Sequence, residues 1–313
     1  MKGRIAILVP TYNGGALLAE TVASPGRAGL PADSYAILVC DNVSTDGSVD
    51  RLGEKDAQGA PIIVRRNEEN LGRVPNWNRV LEHATALGFS HGLFLMVGDM
   101  VQGTALIELR DRMVRADAAL GLAPYSITDE DLQPLRLARR IRWNGESTDH
   151  RSFLSESLAV GALLYGPLGA NLYRLGDPVA LRFDPADETH TDQLATALFA
   201  HGNAARIVYL DKPVSSWRSR PGRFHSTMNP DERLKGDLRV IERGCRAAKV
   251  APDYKKIRAS LLLRTLFHRR GGLAAAWTQS KLLTQGAPPS WLWLATLLWR
   301  QALFKTPWRV EAR

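Results

Sequence analysis

Four short polar stretches carry most of the chemistry this sequence could do. They are Pro10-Thr11-Tyr12-Asn13, Asp41-Asn42-Val43-Ser44-Thr45-Asp46, Asn67-Glu68-Glu69-Asn70-Leu71-Gly72-Arg73 and Val97-Gly98-Asp99-Met100. Each follows an apolar run. An ionised carboxylate accepts hydrogen bonds and donates none, so Asp41, directly after such a run, suits recognition of a ligand N–H. Asp46 reads as a turn or helix-capping residue. Arg73 stands either on a phosphate or as a solvated loop charge. A later stretch, Trp217-Arg218-Ser219-Arg220-Pro221-Gly222-Arg223-Phe224-His225-Ser226, places three arginines close together. Arginine stays protonated, so it pairs with phosphate oxygens rather than ligating metal.

These loops need a frame, and the apolar runs supply it. Ile5 to Val9, Tyr35 to Cys40, Pro61 to Val64 and Leu93 to Val97 read as strands. Between them, helices are expected from Ala16 to Ala23, near Gly47 to Asp56 with Ser44 or Thr45 as cap, and from Pro75 to about Leu87, with another from Thr104 to Ala116. Continuous apolar strands alternating with helices predict a mostly parallel sheet covered on both faces. The functional loops of such sheets lie at the carboxyl ends of the strands, so all four stretches would converge on one edge. Further strands are expected near Leu120 to Ile127, Leu163 to Leu175 and Arg206 to Trp217, and a helix from Thr191 to His201. From Pro230 the pattern is helical: Pro230 to Ala248, Tyr254 to His268, Leu273 to Gln285 and Ser290 to Phe304.

Much is excluded. No Gly-x-Gly-x-x-Gly opens a helix and no Gly-Lys-Ser/Thr loop occurs, so neither a dinucleotide fold nor a P-loop is supported. Cys40 and Cys245 are far apart, which argues against a disulfide framework or zinc site and points to a reducing, cytoplasmic compartment. Ile5 to Val9 is too short for a secretion signal. No apolar run approaches the ~20 residues of a spanning helix.

In order, Val9-Pro10-Thr11-Tyr12-Asn13, Asp41-Asn42-Val43-Ser44-Thr45-Asp46-Gly47-Ser48, and Asn67 to Gly72 with Asn76-Trp77-Asn78-Arg79 resemble family 2 of the glycosyltransferases over roughly residues 4–230. The resemblance implies an α/β GT-A fold, a nucleotide-sugar donor, inversion at the anomeric carbon and a divalent cation, manganese or magnesium. It implies donor binding by Pro10, Thr11, Tyr12, Asn13, Asp41, Asn70, Gly72, Arg73, Gly98 and Asp99. Where the family carries two or three acids after the fourth strand, this chain has Gly98-Asp99, so Asp99 takes the metal position and Gly98 replaces an acid. A metal held by one carboxylate plus substrate phosphates remains compatible with that. On the acceptor side Phe183-Asp184 precedes Thr191-Asp192, so Asp192 matches the catalytic base, with Asp187 and Glu188 as fallbacks. Where the family often has Arg-x-His-Pro-Gly, this chain has Arg218-Ser219-Arg220-Pro221-Gly222. Arg218, Arg220 and Arg223 are then candidates to neutralise the leaving diphosphate. His225 stands either as a metal ligand or as an ordinary packed histidine.

The net charge of +9 is carried by the end of the chain. Residues 233–313 hold 17 Lys and Arg against 4 Asp and Glu, and five of the eight tryptophans lie among the last 37 residues. Basic charge beside Trp and Leu is the composition of an interfacial membrane helix; packing on the catalytic domain or on a second subunit is the alternative. No nucleic-acid recognition motif is present.

The expectation is therefore a GT-A domain over residues 1–230 and a basic, Trp-rich helical extension over 231–313. It would be a cytoplasmic enzyme, peripheral on the inner membrane, that glycosylates a glycan or lipid-linked acceptor and leaves homo-oligomerisation open. The rivals are a sugar-phosphate nucleotidyltransferase, for which Asn13-Gly14-Gly15 is a poor triphosphate loop, and a degenerate domain kept as a membrane-associated scaffold.

Overall fold

The computed structural model describes residues 3–138, 147–159, 167–176, 181–185, 205–220, 230–247, 249, 251–268, 277, 281, 284, 286–304 and 311–312. The expected helices over 191–201 and, for the most part, 273–285 lie outside them. The first strands are β1 (Ile5–Thr11), β2 (Tyr35–Asp41), β3 (Ile62–Arg66) and β4 (His91–Phe94), with helices α1 (Gly15–Arg27) and α2 (Arg73–Ala86) between them. There follow β5 (Met100–Val101), α3 (Ala105–Ala116), β6 (Ala118–Leu122), β7 (Tyr125–Thr128), β8 (Pro134–Ala138), β9 (Ser147–Asp149) and α4 (His150–Ala159). Next come β10 (Asn171–Arg174), β11 (Arg206–Tyr209) and β12 (Ser215–Arg218), then α5 (Pro230–Ala247), α6 (Tyr254–His268), α7 (Trp291–Phe304) and β13 (Glu311–Ala312).

The large sheet runs β3-β2-β1-β4-β10-β6-β11-β9. Its first four strands are parallel, β10 is antiparallel to both neighbours, β6 and β11 are parallel, and β9 closes the sheet antiparallel. A second sheet, β13-β8-β7-β12-β5, stands beside it. The sequence reading did not include that sheet: it took Leu120 to Ile127 and Arg206 to Trp217 as single strands, whereas each divides between the two sheets, as β6 and β7 and as β11 and β12.

Alternation along β1 builds both layers. Ile5, Ile7 and Val9 face a cluster with Leu18, Val22, Leu106, Leu109 and Met113, so α1 and α3 cover that side. Ala6 and Leu8 face the other, with Trp77 and Val80 of α2, Phe153 of α4, Leu238 and Ile241 of α5, and Ile257 and Leu261 of α6. The first two C-terminal helices thus share the core of the sheet.

Several boundaries differ from expectation, each for a local reason. α1 continues past Ala23 through Pro25. Proline has no N–H to give the carbonyl of Thr21, and the hydroxyl of Ser24 donates to that carbonyl at 2.8 Å instead. No helix forms over 47–56. Asp46 takes the N–H and hydroxyl of Ser48, and Asp56 takes the N–H of Gln58 and Ala60. Such side-chain bonds compete with helical ones. Ser44 and Thr45 cap nothing: Ser44 donates to Asp41 and the Thr45 N–H to Asn13. α2 begins at Arg73, so Pro75 is its third residue. β4 stops at Phe94, and the chain turns where the Asp99 N–H meets the Met96 carbonyl at 2.8 Å.

Two buried histidines make this frame sensitive to acid. Burial pushes His91 of β4 and His150 of α4 down to about 4, with Arg110 and Arg174 adding to the effect at His91. Both folded values lie below the unfolded value near 6.5, so the unfolded chain binds more protons between them. The stabilisation is complete above pH ~6.5 and lost as pH falls towards ~4, by up to about 1.4 kcal/mol per pH unit for each histidine. Urea unfolding followed from pH 7.5 to 4.5 should show that fall. A His91→Gln variant should show a shallower one; an unchanged slope would remove His91 from the account.

Candidate active site

The carboxyl ends of β1, β2 and β3 are tied together by asparagines. Asn42, after β2, accepts from Asn67 Nδ2 and the Leu71 N–H, both at 2.9 Å. Its own Nδ2 donates to Asn70 Oδ1 at 2.6 Å and to the Gly72 carbonyl. Asn67 Nδ2 also donates to Asn76 Oδ1 at 2.9 Å, and Asn76 Nδ2 reaches the carbonyls of Cys40 and Thr11. Asn42 and Asn76 are 3% and 4% exposed. Buried amides paired in this way fix loop geometry. Asn70 and Gly72, singled out from sequence, belong to this network. Asn42 and Asn67 were missed as site residues, although Asn paired with Asn across three strand ends is a visible signal.

The first two loops are cross-linked as well. The Asn13 N–H donates to Ser44 Oγ, Asn13 Oδ1 accepts from Thr45, and the Gly15 N–H donates to Asp46 Oδ2 at 2.8 Å. Asp46 is thus the turn residue expected, and it also caps α1 from another loop. Its Ser48 bonds lead in holding its carboxyl down to about 2. Pro10 and Thr11 are buried, whereas Tyr12 is 53% exposed on the edge.

Asp41 is fully buried. One oxygen accepts from the Ser44 N–H and hydroxyl, and the other from Arg66 Nε at 2.8 Å. Arg66 also pairs with Asp50, so a guanidinium that the sequence reading missed sits at the mouth of this loop. Arg73 lies over the Trp77 ring, 5.1 Å from its centroid.

The β4–β5 turn is clamped by α1. The Gly98 N–H donates to Thr21 Oγ1 and the Val101 N–H to Ser24 Oγ. Asp99 is 6% exposed and its Oδ1 accepts the Arg218 N–H at 3.1 Å. The Arg218 side chain turns to Glu20 of α1, with Nη2 to Oε2 at 2.6 Å. Arg220 donates from Nη2 to the Val97 carbonyl at 3.3 Å. A β-carbon on residue 98 would sit 3.8 Å from the Arg220 guanidinium. The structure thus brings Gly98, Asp99, Arg218 and Arg220 together.

In the segment expected on the acceptor side, Phe183 is the anchor. Its N–H and carbonyl are both bonded by the Asn78 amide, at 2.7 and 2.9 Å, and its ring packs edge-on against Trp77 and Phe94. Asp184 pairs with Arg243 of α5 at 2.7 Å. Asp187, Glu188, Asp192, Arg223 and His225 lie outside the described residues.

Residues 6–87, about a quarter of the chain, match the family model described as glycosyl transferase family 2. The fold is GT-A, and this N-terminal segment is similar to that family. A comparison with curated protein sequences finds no match. Among solved structures, the fold is similar to residues 1–349 of S. aureus TarS in complex with UDP-GlcNAc, with a TM-score of 0.63 and 17% identity over 91% of this chain and 82% of that one. It is also similar to the mannosyltransferase PcManGT from Pyrobaculum calidifontis in complex with GDP-Man and Mn2+, with a TM-score of 0.53 and 16% identity over 98% and 82%. At such identities the likeness is one of fold.

GT-A folds imply a divalent cation, and the described residues fit one poorly. Among them no three His, Cys, Asp or Glu side chains gather at one point. Asp99 is the one acid of the β4–β5 turn, one of its oxygens is already engaged, and Arg220 lies over the neighbouring glycine.

Proposed function

We propose that this chain transfers a sugar, with inversion, from a nucleotide-sugar donor to a hydroxyl of a glycan or lipid-linked glycan. One observation carries the reading: five separate segments lie at the carboxyl edge of the parallel strands, Thr11–Asn13, Asp41–Asp46 and Asn67–Arg73 hydrogen-bonded to one another and Gly98–Asp99 joined to Arg218–Arg220 through Asp99 and the Val97 carbonyl. That edge is where α/β sheets bind ligands. The exposed ring of Tyr12 suits a nucleobase face. In a direct displacement the acceptor oxygen attacks the anomeric carbon, the bond to the diphosphate breaks, and a carboxylate takes the hydroxyl proton. Asp192 is the residue proposed for that last role. The donor complexes of TarS and PcManGT support the donor class.

The nucleotidyltransferase alternative is weakened by Asp46. Its carboxylate occupies the Gly15 N–H at the start of α1, where a triphosphate would need positive charge.

A lipid-linked acceptor also fits the far end of the chain. No helix among the described residues is long and apolar enough to cross a membrane. α7 nevertheless exposes Trp291, Leu292, Ala295, Leu298 and Trp299, which share one side at helical spacing, Trp291 and Trp299 each at 61%. Trp277 stacks on Trp291 at 5.7 Å. Lys255, Lys256 and Lys281 are exposed, and Lys256 lies over the ring of Trp293 on the other side of α7. We assign this side to the anionic cytoplasmic surface of a membrane, because an exposed row of Trp and Leu in a basic C-terminal segment matches such a surface.

The donor reading is tested by thermal shift and calorimetry with UDP, GDP, dTDP and CMP, followed by turnover of the matching sugar nucleotides. A ligand at ~100 times its dissociation constant should stabilise the chain by about 2.7 kcal/mol. No shift with any of them would leave the scaffold reading in place.

A further inference from the structure

We propose that Arg220, standing over Gly98, binds the donor diphosphate in place of a protein-held divalent cation. The inference rests on the donor reading above and adds how this chain meets the charge of the leaving group.

Gly98 is buried at φ +97°, in the left-handed region that disfavours a side chain. A β-carbon there would lie 3.8 Å from both Cζ and Nη2 of Arg220 and 3.6 Å from Leu17. The guanidinium therefore fills the space above residue 98. Its bond to the Val97 carbonyl uses one of five N–H donors and holds the group at the strand end. The backbone at this point is rigid, because Thr21 and Ser24 of α1 hold the N–H groups of Gly98 and Val101.

The charges in the turn point the same way. Glu20 balances Arg218 at 2.6 Å, and Arg218 is only 5% exposed. Asp99 is nearly as buried, and one of its oxygens serves the Arg218 backbone. Arg220 is the half-buried cation of the group. With Glu20 and Asp99 set against Arg218 and Arg220, the turn has no surplus negative charge to draw a dication, whereas Arg220 offers a diphosphate a planar fork that suits two phosphate oxygens. When the glycosidic bond breaks, the electron pair stays on the diphosphate oxygen, and a fixed guanidinium stabilises that charge without reorganising.

The test is calorimetry on the full chain with UDP, GDP, dTDP and CDP and with their nucleosides, each in excess chelator and in manganese. The wild type should bind its nucleoside diphosphate with affinities within about twofold in the two buffers. Arg220→Ala should weaken that diphosphate about tenfold to a hundredfold, the range of a charged hydrogen bond, and leave the nucleoside unchanged. Arg220→Lys should fall between. A diphosphate that binds only with manganese overturns the proposal while upholding the donor reading. Equal losses for nucleoside and diphosphate in Arg220→Ala make Arg220 a merely structural residue and overturn it too. If the wild type binds none of these ligands, the donor reading fails and the proposal with it.

Discussion

An Asp192→Asn variant is expected to lose transfer by about a thousandfold while still binding nucleoside diphosphate normally. General base catalysis contributes roughly 10²–10⁴-fold, and asparagine keeps the shape of the side chain while removing the proton acceptor. Asp192 is chosen by its match to the family's base, and the described residues that precede it are anchored. Phe183 is held through its backbone by Asn78 and through its ring by Trp77 and Phe94, and Asp184 is held by Arg243. Such anchoring suits positioning, and positioning supplies much of the rate in a displacement. Single-turnover assays with a trapped donor, beside calorimetry with the free diphosphate, separate the two effects. Transfer near wild type would move the base to Asp187 or Glu188. Loss of both activities would point to a folding role instead.

The second large effect is expected at the membrane. Each exposed face of Trp291 and Trp299 offers on the order of 100 Å² of apolar surface. At ~25 cal/mol per Å² that amounts to about 2–3 kcal/mol for each ring on burial. Replacing both by alanine should weaken partition into phosphatidylglycerol-containing vesicles at least about a hundredfold, and neutral phosphatidylcholine vesicles should bind the parent chain far less. The rings lie on the outer side of α7, so nucleoside diphosphate binding should not change. Vesicle co-sedimentation with and without added salt checks it. Parent chains that ignore anionic vesicles would assign the tryptophans to a protein partner.

The strand ends and their loops were legible because buried parallel strands read as unbroken apolar runs. Ile5 to Val9 and Tyr35 to Cys40 fall within β1 and β2, and Tyr254 to His268 is α6. The segment over 47–56 was misread as helix because its polar residues carry caps for turns as readily as for helices. Asp46 and Asp56 settle that choice with local bonds to Ser48, Gln58 and Ala60 together with partners from other segments, Gly15 and Tyr35. At the site, Asp41, Asn70, Gly72, Gly98 and Asp99 stood out by type and place. That the missing acid at 98 and the extra base at 220 are spatial neighbours was not legible. They are more than a hundred residues apart, and only the pairing of β12 with β5 brings them together. Asp41 shows the opposite case: its type suggested a ligand contact, yet the folded chain has already given both oxygens to Ser44 and Arg66.

The sharing of one core by early and late segments has a consequence for how the molecule is made. Trp77, Phe94 and Phe153 lie in one cluster with Leu238, Ile241, Ile257 and Leu261. During synthesis the chain emerges from the ribosome in order, at ~5–20 residues per second, so the aromatic side of the sheet is finished well before α5 and α6 exist to cover it. For those seconds the nascent chain presents an oily face of Trp and Phe to water. A holding chaperone would have its longest opportunity there, and a ribosome stalled near residue 230 would release a polypeptide that associates with copies of itself.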